Sequence, residues 1–491
     1  MINWIKKNKF EFALLFGILF IALFLRLFRI SEFMTFLGDE GRDVRIVRDL
    51  ITEGNLVFIG PQTSVGNMYL GPLYYYMMAP ALFLSGLNPV GPAVMVALLS
   101  VLTVWLTWFV GRRWFGKEAT FIAALLYAVS PVAIIYGRTS WNPNPMPFFA
   151  LLSIWGIYEV FQNKKYFWLP IVGISTAFAL QMHYLGLLLL PTIGIFWLLS
   201  LKNIKKDKLA VNKFSKNTVI AVLIFLFLML PLVLFDLKHA GMNLKALGSL
   251  VSTKSGVFNL GAVLTKPFYL FSFSSSSLLS GIEKPALLIT IFTSFISAIF
   301  LLINRKKTQI QIIFTWIFVT ILGLSLYNQP IYIHYLGLIY PAIFLLFGAL
   351  IASLSKVSSP LKWVFYFLLA IFVANTLRSS PAFDSPNYQL RRTEEAADLV
   401  IKESLGEPFN FGLIAKQNYD ESYRYFLENK NANLVRGEIK IVDQLFVICE
   451  DGDKCQPEGN PAWQIAVFGP SHVVSMWQID YLKIYRLEHT K

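Results

Sequence analysis

The chain has 491 residues, 56% of them hydrophobic and 15% charged, with a formal net charge of +14. So apolar a composition excludes an ordinary soluble domain, and stretches of about 20 residues with hardly a charge recur, the length that crosses a ~30 Å hydrocarbon core. The fold class expected is an all-α polytopic membrane protein carrying a small α/β domain at its C-terminal end.

Eleven spans are predicted, near 11–30, 90–111, 119–137, 146–162, 166–183, 185–201, 217–236, 286–304, 308–327, 332–353 and 361–377. The first is too long for a signal-peptide core and carries Arg26 and Arg29 where a small-residue cleavage site belongs, so it reads as an anchor. The segment MYLGPLYYYMMAPALFLS, 68–85, is apolar but holds Gly-Pro and Pro80 and reads as re-entrant or interfacial. Alternate loops hold MINWIKKNK, GRRWFGKE, QNKKYF, KNIKKDKLAVNKFSK, NRKK and SKVSSPLKW, and these Lys/Arg clusters place them, with the N-terminus, in the cytoplasm. The opposite set includes QMHYLG and YNQPIYIHY, which carry no Lys or Arg. Much of the positive charge is thereby a topology signal, and no nucleic-acid partner is needed to explain it. The expected location is a plasma or inner membrane, crossed many times, with the C-terminal domain outside.

A transmembrane domain over 1–377 would then own outer loops 31–89 and 237–285, followed by an outer α/β domain at 378–491. In the first loop, FLGDEGRDVRIVRDL predicts a helix starting near Asp39, with Arg42, Arg45, Arg48 and Asp49 on one side and Val44, Val47 and Ile51 on another. Such a helix would lie on the membrane surface with its arginines toward lipid phosphate and its acids at the favourable N-terminal end. In the tail, YQLRRTEEAADLVIKES and YDESYRYFLEN read as helices, and FNFGLIA, QLFVICE and YLKIYRL as strands. Cys449 and Cys455, six apart around Asp-Gly, suggest a local disulfide on the oxidising side, with two free thiols as the alternative.

Walker, dinucleotide-binding, metalloprotease and serine-hydrolase motifs are absent, and no internal repeat is evident. His183, His239 and His334 each fall at an outer helix end, but their spacing follows no ligand pattern, so no divalent metal or other cofactor is assigned.

The order Asp39-Glu40, then GPLYYYMMAP, then YGRTSWNPNPMPFF resembles the GT-C membrane glycosyltransferases, specifically the protein O-mannosyltransferase and aminoarabinose (lipid A) transferase superfamily. In that family an Asp-Glu pair begins the first outer loop, a Pro-Leu-Tyr-Tyr segment follows, and an Arg-led motif opens the second. HYLGLIYPAIFLLFGAL is similar to the family's entry to a late helix. Members commonly carry a second carboxylate before span four, where this chain has Asn142 and Asn144, amides able to hold a sugar hydroxyl but not to act as a base.

The resemblance implies sugar transfer from a polyprenyl-phosphate donor to an acceptor hydroxyl on a protein, glycan or lipid at the outer face. It implies Asp39 as the base and Glu40 as an orienting group. Arg42, Arg138, Lys254 and Lys266 would receive the leaving phosphate. Tyr74 and Tyr75 would stack on sugar or line the prenyl groove, and His183 or His334, beside Tyr184 and Tyr335, would bind phosphate or make helix-end hydrogen bonds. The alternative is a lipid or sugar transporter or flippase without transferase activity. It calls for charged or broken helices at mid-membrane, whereas most ionisable residues here lie at span ends.

Overall fold

A computed structural model describes residues 6–63, 68–251, 260–327, 330–356, 358–436, 440–452 and 455–490. Every predicted span is helical in it, but among the described residues seven helices are long and apolar enough to cross a bilayer, with three shorter apolar ones beside them. Part of the difference is length, since Trp168–Met182 and Leu287–Ile303 are unbroken but short, and part is a break in the chain. Span 119–137 divides into Lys117–Val129 and Pro131–Tyr136, because Pro131 lacks the N–H a continuing helix requires. The Ser130 hydroxyl accepts from the Ala133 N–H and restarts the helix. The carbonyls left open by that break are capped from outside: Arg26 donates to Ala128 O at 3.0 Å and Tyr127 O at 3.3 Å, and to Ser100 Oγ at 2.8 Å. One buried guanidinium thus ties three helices at the end where the site lies.

Tyr340–Leu354 is buried on nearly all sides and sits at the centre, packed against Lys117–Val129. Lys208–Lys238 and Ser359–Arg378 lie at the periphery and turn large apolar side chains outward, among them Phe227, 72% exposed. Outward apolar faces on apolar helices suit hydrocarbon, and the chain is a multi-pass membrane protein.

Two regions read from sequence as outer loops contain helices. Leu73–Leu84 follows Gly71-Pro72 and, at 12 residues, is about 18 Å long, shorter than the bilayer core. Region 237–285 contains Met242–Val251 and the 21-residue Leu260–Ser280, which packs against Leu287–Ile303 and Thr308–Ser325. Its serine run hid this helix, but Ser274 donates to Leu270 O at 2.5 Å and Ser275 to Phe271 O at 2.8 Å, so the hydroxyls are satisfied within the helix.

The tail forms a four-stranded sheet of β1 (Asn410–Ile414), β2 (Gln444–Cys449), β3 (Ser471–Ile479) and β4 (Leu482–His489), in the order β1-β2-β4-β3. Strands β1 and β2 are parallel, joined through the Glu421–Asn429 helix, and the other pairs are antiparallel. Buried apolar runs made β1 and β2 legible. Edge strand β3, SHVVSMWQI, was missed because its half-buried and exposed positions alternate through mixed polar residues, with a register shift between Val473 and Ser475. Cys449 and Cys455 are disulfide-bonded, closing the turn after β2.

Candidate active site

The helix carrying the acidic pair runs Gly38–Thr52 and begins one residue before the expected start. Glu40, buried, is the residue that caps it, its Oε2 accepting from the Leu37 N–H at 3.0 Å. Asp39 is thereby left free of capping, and its side chain, 43% exposed, faces the tail domain. Its Oδ1 accepts from Arg42 Nη1 at 2.8 Å and from the Tyr419 hydroxyl at 2.6 Å. Arg42 is in turn gripped by Asp43, with Nη2 at 2.7 Å and Nε at 2.9 Å. Asp43, fully buried, also accepts from the Tyr75 hydroxyl at 3.2 Å.

Burial shifts the protonation of two of these carboxyls, Glu40 and Asp43. Burial pushes the Glu40 carboxyl up to about 7, its backbone hydrogen bonds opposing the rise and the Asp39 and Asp43 charges adding to it. Burial likewise pushes Asp43 up to about 6 against the pull of Arg42. Burial opposes charge on Arg42 too, but Asp43, Tyr75, Tyr419 and Asp39 hold it above its usual range, so the cation that positions Asp39 is permanent.

The arginines expected to meet lipid phosphate meet protein carboxylates instead. Arg45 pairs with Glu421 at 2.6 Å and Glu428 at 2.7 Å, and Arg48 with Glu428 at 2.9 Å, all across to the tail helix Glu421–Asn429. Asn418 Oδ1 accepts from the Gly38 N–H at 2.8 Å, and Gln389 Oε1 from the Phe36 N–H at 3.1 Å. The approach is close enough to require glycine: a Cβ on Gly41 would lie 2.3 Å from the Ser422 backbone, and one on Gly38 2.5 Å from the Tyr419 ring.

Asp39 opens into a cavity of about 240 Å³ whose walls include Glu40, Tyr136, Thr139, Trp141 and Tyr419. Tyr136 also lines a neighbouring cavity of about 400 Å³ that holds Lys266, Lys284, Glu283 and Tyr332. A carboxylate and two ammonium groups are therefore presented in adjoining spaces with one tyrosine between them. Lys266 donates to Tyr327 O at 2.6 Å, which fixes its direction, and the following residues Pro267 and Phe268 open a third, apolar groove of about 580 Å³ between helices.

The other residues singled out from sequence divide clearly. His334 packs 4.5 Å from Trp141 and 5.9 Å from Tyr136, ring centre to ring centre, so it backs two residues of the cavity wall, with Tyr335 at 4.6 Å. His183 stands behind it, stacked 4.4 Å from Tyr184 and accepting from the Leu185 N–H. Lys254 lies outside the described residues. Tyr74 and Tyr75 are fully buried, Tyr74 hydrogen-bonded to Ser140 Oγ at 2.7 Å, so they brace the site from behind and neither stacks on a ligand nor lines a groove. Arg138 does not face the Asp39 cavity: it donates to Pro381 O and Phe28 O, lies over the Phe33 ring, and burial lowers it to about 10. Asn142 donates to Met182 O at 2.7 Å and Asn144 to Thr139 O at 2.8 Å, so each amide commits one N–H to closing the loop. Among the described residues no group of three His, Cys, Asp or Glu is placed to hold a metal ion.

Sequence reasoning missed Tyr136, Trp141, Lys284 and Tyr419. The first two flank Arg138 within YGRTSW, where the charge drew notice away from the rings that face the cavity. Tyr419 reaches Asp39 across 380 residues of chain, a contact no periodicity carries.

A family model for dolichyl-phosphate-mannose-protein mannosyltransferases matches residues 70–235. The architecture matches ArnT of Cupriavidus metallidurans, solved with undecaprenyl phosphate, at a TM-score of 0.58 and 12% identity over 98% of both chains. The chain has the GT-C membrane glycosyltransferase fold. The oligosaccharyltransferase AglB of Archaeoglobus fulgidus, solved with an inhibitory peptide and a dolichol-phosphate, matches at a TM-score of 0.50 and 12% identity over 90% of this chain and 70% of that one. A putative mannosyltransferase of Bacillus subtilis, YkcB, is 26% identical over 166 residues, 33% of this chain and 22% of its own. The curated relatives are thus matched over about a quarter of their length. In this GT-C frame, Asp39 and the tail domain stand at the same end of the bundle.

Proposed function

We propose that this protein is a glycosyltransferase that moves a sugar from a polyprenyl-phosphate donor to an acceptor hydroxyl at the outer membrane face. The observation that carries the reading is the pairing of adjoining cavities across Tyr136, one holding Asp39 and the other Lys266 and Lys284. The acceptor O–H loses its proton to the Asp39 carboxylate as its oxygen bonds to the anomeric carbon, and the bond from that carbon to the phosphate oxygen breaks. The departing phosphate keeps the electron pair, and the two ammonium groups receive its charge. The apolar groove that begins at Pro267 suits the prenyl chain, and ArnT and AglB were both solved with polyprenyl phosphates.

In this reading Arg42 and Tyr419 orient the base, and Asp43 holds Arg42. Glu40 sets the start of the helix. The Asp39 side remains for the acceptor, whether protein, glycan or lipid, and the donor sugar is a hexose or pentose. The N-terminus and the lysine-rich loops lie in the cytoplasm.

The test is sugar transfer by purified Asp39→Asn at saturating lipid-linked donor. Glu40 retains the helix cap, so the melt should not move, while turnover falls by roughly 10² to 10⁴, the scale of a positioned general base. Full activity in that variant removes the mechanism.

A further inference from the structure

At the end of the bundle away from Asp39 lies a cavity of about 530 Å³ with mixed charged and apolar walls, between the N-terminal helix Lys9–Leu27 and the starts of Lys117–Val129 and Ser359–Arg378. The N-terminal helix alone separates it from the site by 19 residues, about 28 Å at 1.5 Å per residue, or one hydrocarbon thickness. Lys7, Lys9, Lys117 and Lys362 converge on it from three parts of the chain.

Its two carboxylates are already engaged. Glu11, buried, pairs with Arg112 at 2.6 Å and Lys117 at 3.1 Å, and Glu118 accepts from the hydroxyls of Ser355 and Tyr366. Lys7, Lys9 and Lys362 have no carboxylate at ion-pair distance among the described residues, so the cavity holds an excess of positive charge. A topology signal accounts for lysines at this end but not for their convergence on a recess. The recess is also flanked on its outward side by apolar groups, with Phe10 77% exposed and Leu14 41% exposed. A ligand that satisfies both parts is anionic at one end and apolar at the other.

We propose that this cavity binds the phosphate headgroup of an anionic phospholipid from the leaflet opposite the active site. Lys7, Lys9 and Lys362 ligate the phosphate, and the acyl chains lie along Phe10 and Leu14. Free phosphate shares the ionic half of this chemistry but gains nothing from the apolar flank.

Native mass spectrometry of the full chain in detergent, with phosphatidylglycerol, phosphatidylcholine or inorganic phosphate added, tests the assignment. The variants are Lys7→Gln/Lys9→Gln/Lys362→Gln, the corresponding Lys→Arg triple, and a control with Lys205, Lys206 and Lys213 changed to Gln. The wild type, the control and the Arg triple should retain one phosphatidylglycerol in preference to phosphatidylcholine, and the Gln triple should retain it about tenfold less. Lys9→Gln and Lys362→Gln alone should fall between, which keeps the comparison readable without the triple variant. Equal retention by the Gln triple and the control, equal retention of phosphatidylcholine, or displacement of the lipid by millimolar phosphate overturns the assignment. Sugar transfer by the Gln triple in detergent stays at the wild-type level, so a failure here is distinct from a failure at Asp39.

Discussion

At the residue scale the site depends on a chain of polar contacts from Asp43 through Arg42 and Asp39 to Tyr419. Tyr419→Phe removes one donor from Asp39 and one acceptor from Arg42 while leaving the direct Arg42–Asp39 pair, so turnover should fall by roughly tenfold with little change in melting temperature. If the tyrosine acts through Asp39, the double variant Tyr419→Phe/Asp39→Asn should be no slower than Asp39→Asn alone. A double-mutant cycle on turnover reads this directly, and strict additivity would separate the two residues. Glu40 allows a pH prediction. Its folded value of about 7 lies above the ordinary carboxylate range, so folding carries no penalty at pH low enough to protonate both states, and a penalty grows as pH rises through about 7. Glu40→Gln keeps an acceptor for the Leu37 N–H and removes that penalty. The variant should match the wild type near pH 4.5 and exceed it by on the order of 3 kcal/mol near pH 8, measured as melting temperature against pH. A variant less stable at pH 8 than at pH 5, relative to wild type, would show that the carboxylate is a needed charge rather than a tolerated one.

At the element scale, the helix Gly38–Thr52 is held less by the bilayer than by the tail domain. Its amphipathic period was legible, because arginines three apart share a face whatever they touch. Their partners were not, because Glu421 and Glu428 sit on a separate short helix nearly 400 residues away, and sequence pattern alone does not distinguish a carboxylate partner from a phosphate one. The two glycines around the acidic pair were a readable signal, since a residue without Cβ beside charged neighbours marks close backbone approach. Gly41→Ala places a methyl against the Ser422 backbone, which cannot yield as a side-chain tip would. The expected result is a loss of about 1–3 kcal/mol and earlier proteolytic release of the tail domain, with activity lost in step with release. Glu428→Gln, which weakens Arg45 and Arg48 together, should act in the same direction. An undisturbed protease pattern in Gly41→Ala would mean the two elements are not apposed this closely.

At the scale of the whole molecule, hydropathy located helices at all the predicted spans, seven of the described helices being long and apolar enough to cross, because burial in lipid demands apolar helices whatever their neighbours. It failed at Leu260–Ser280, where intrahelical hydroxyl bonds let a serine-rich helix join the bundle beside the apolar groove. Two ends of the bundle follow, one with Asp39 and the tail domain and one with Lys7, Lys117, Lys362 and the lysine-rich start of Lys208–Lys238. In the topology proposed here, lysine and arginine bias puts the second end in the cytoplasm. Because both native cysteines are bonded to each other, single introduced thiols report without background. Cysteine at Lys402, whose side chain is 79% exposed on the tail domain, should react with a membrane-impermeant maleimide on intact cells. Cysteine at Asn212, exposed in the first turns of Lys208–Lys238, should react only after the membrane is opened. The reverse pattern would put Asp39 in the cytoplasm, where a sugar donor would have to be used before it crosses the membrane, and the proposed reaction would be placed on the wrong face. Labelling of both sites in sealed cells would instead show that the chain does not hold one orientation and would overturn the proposed topology.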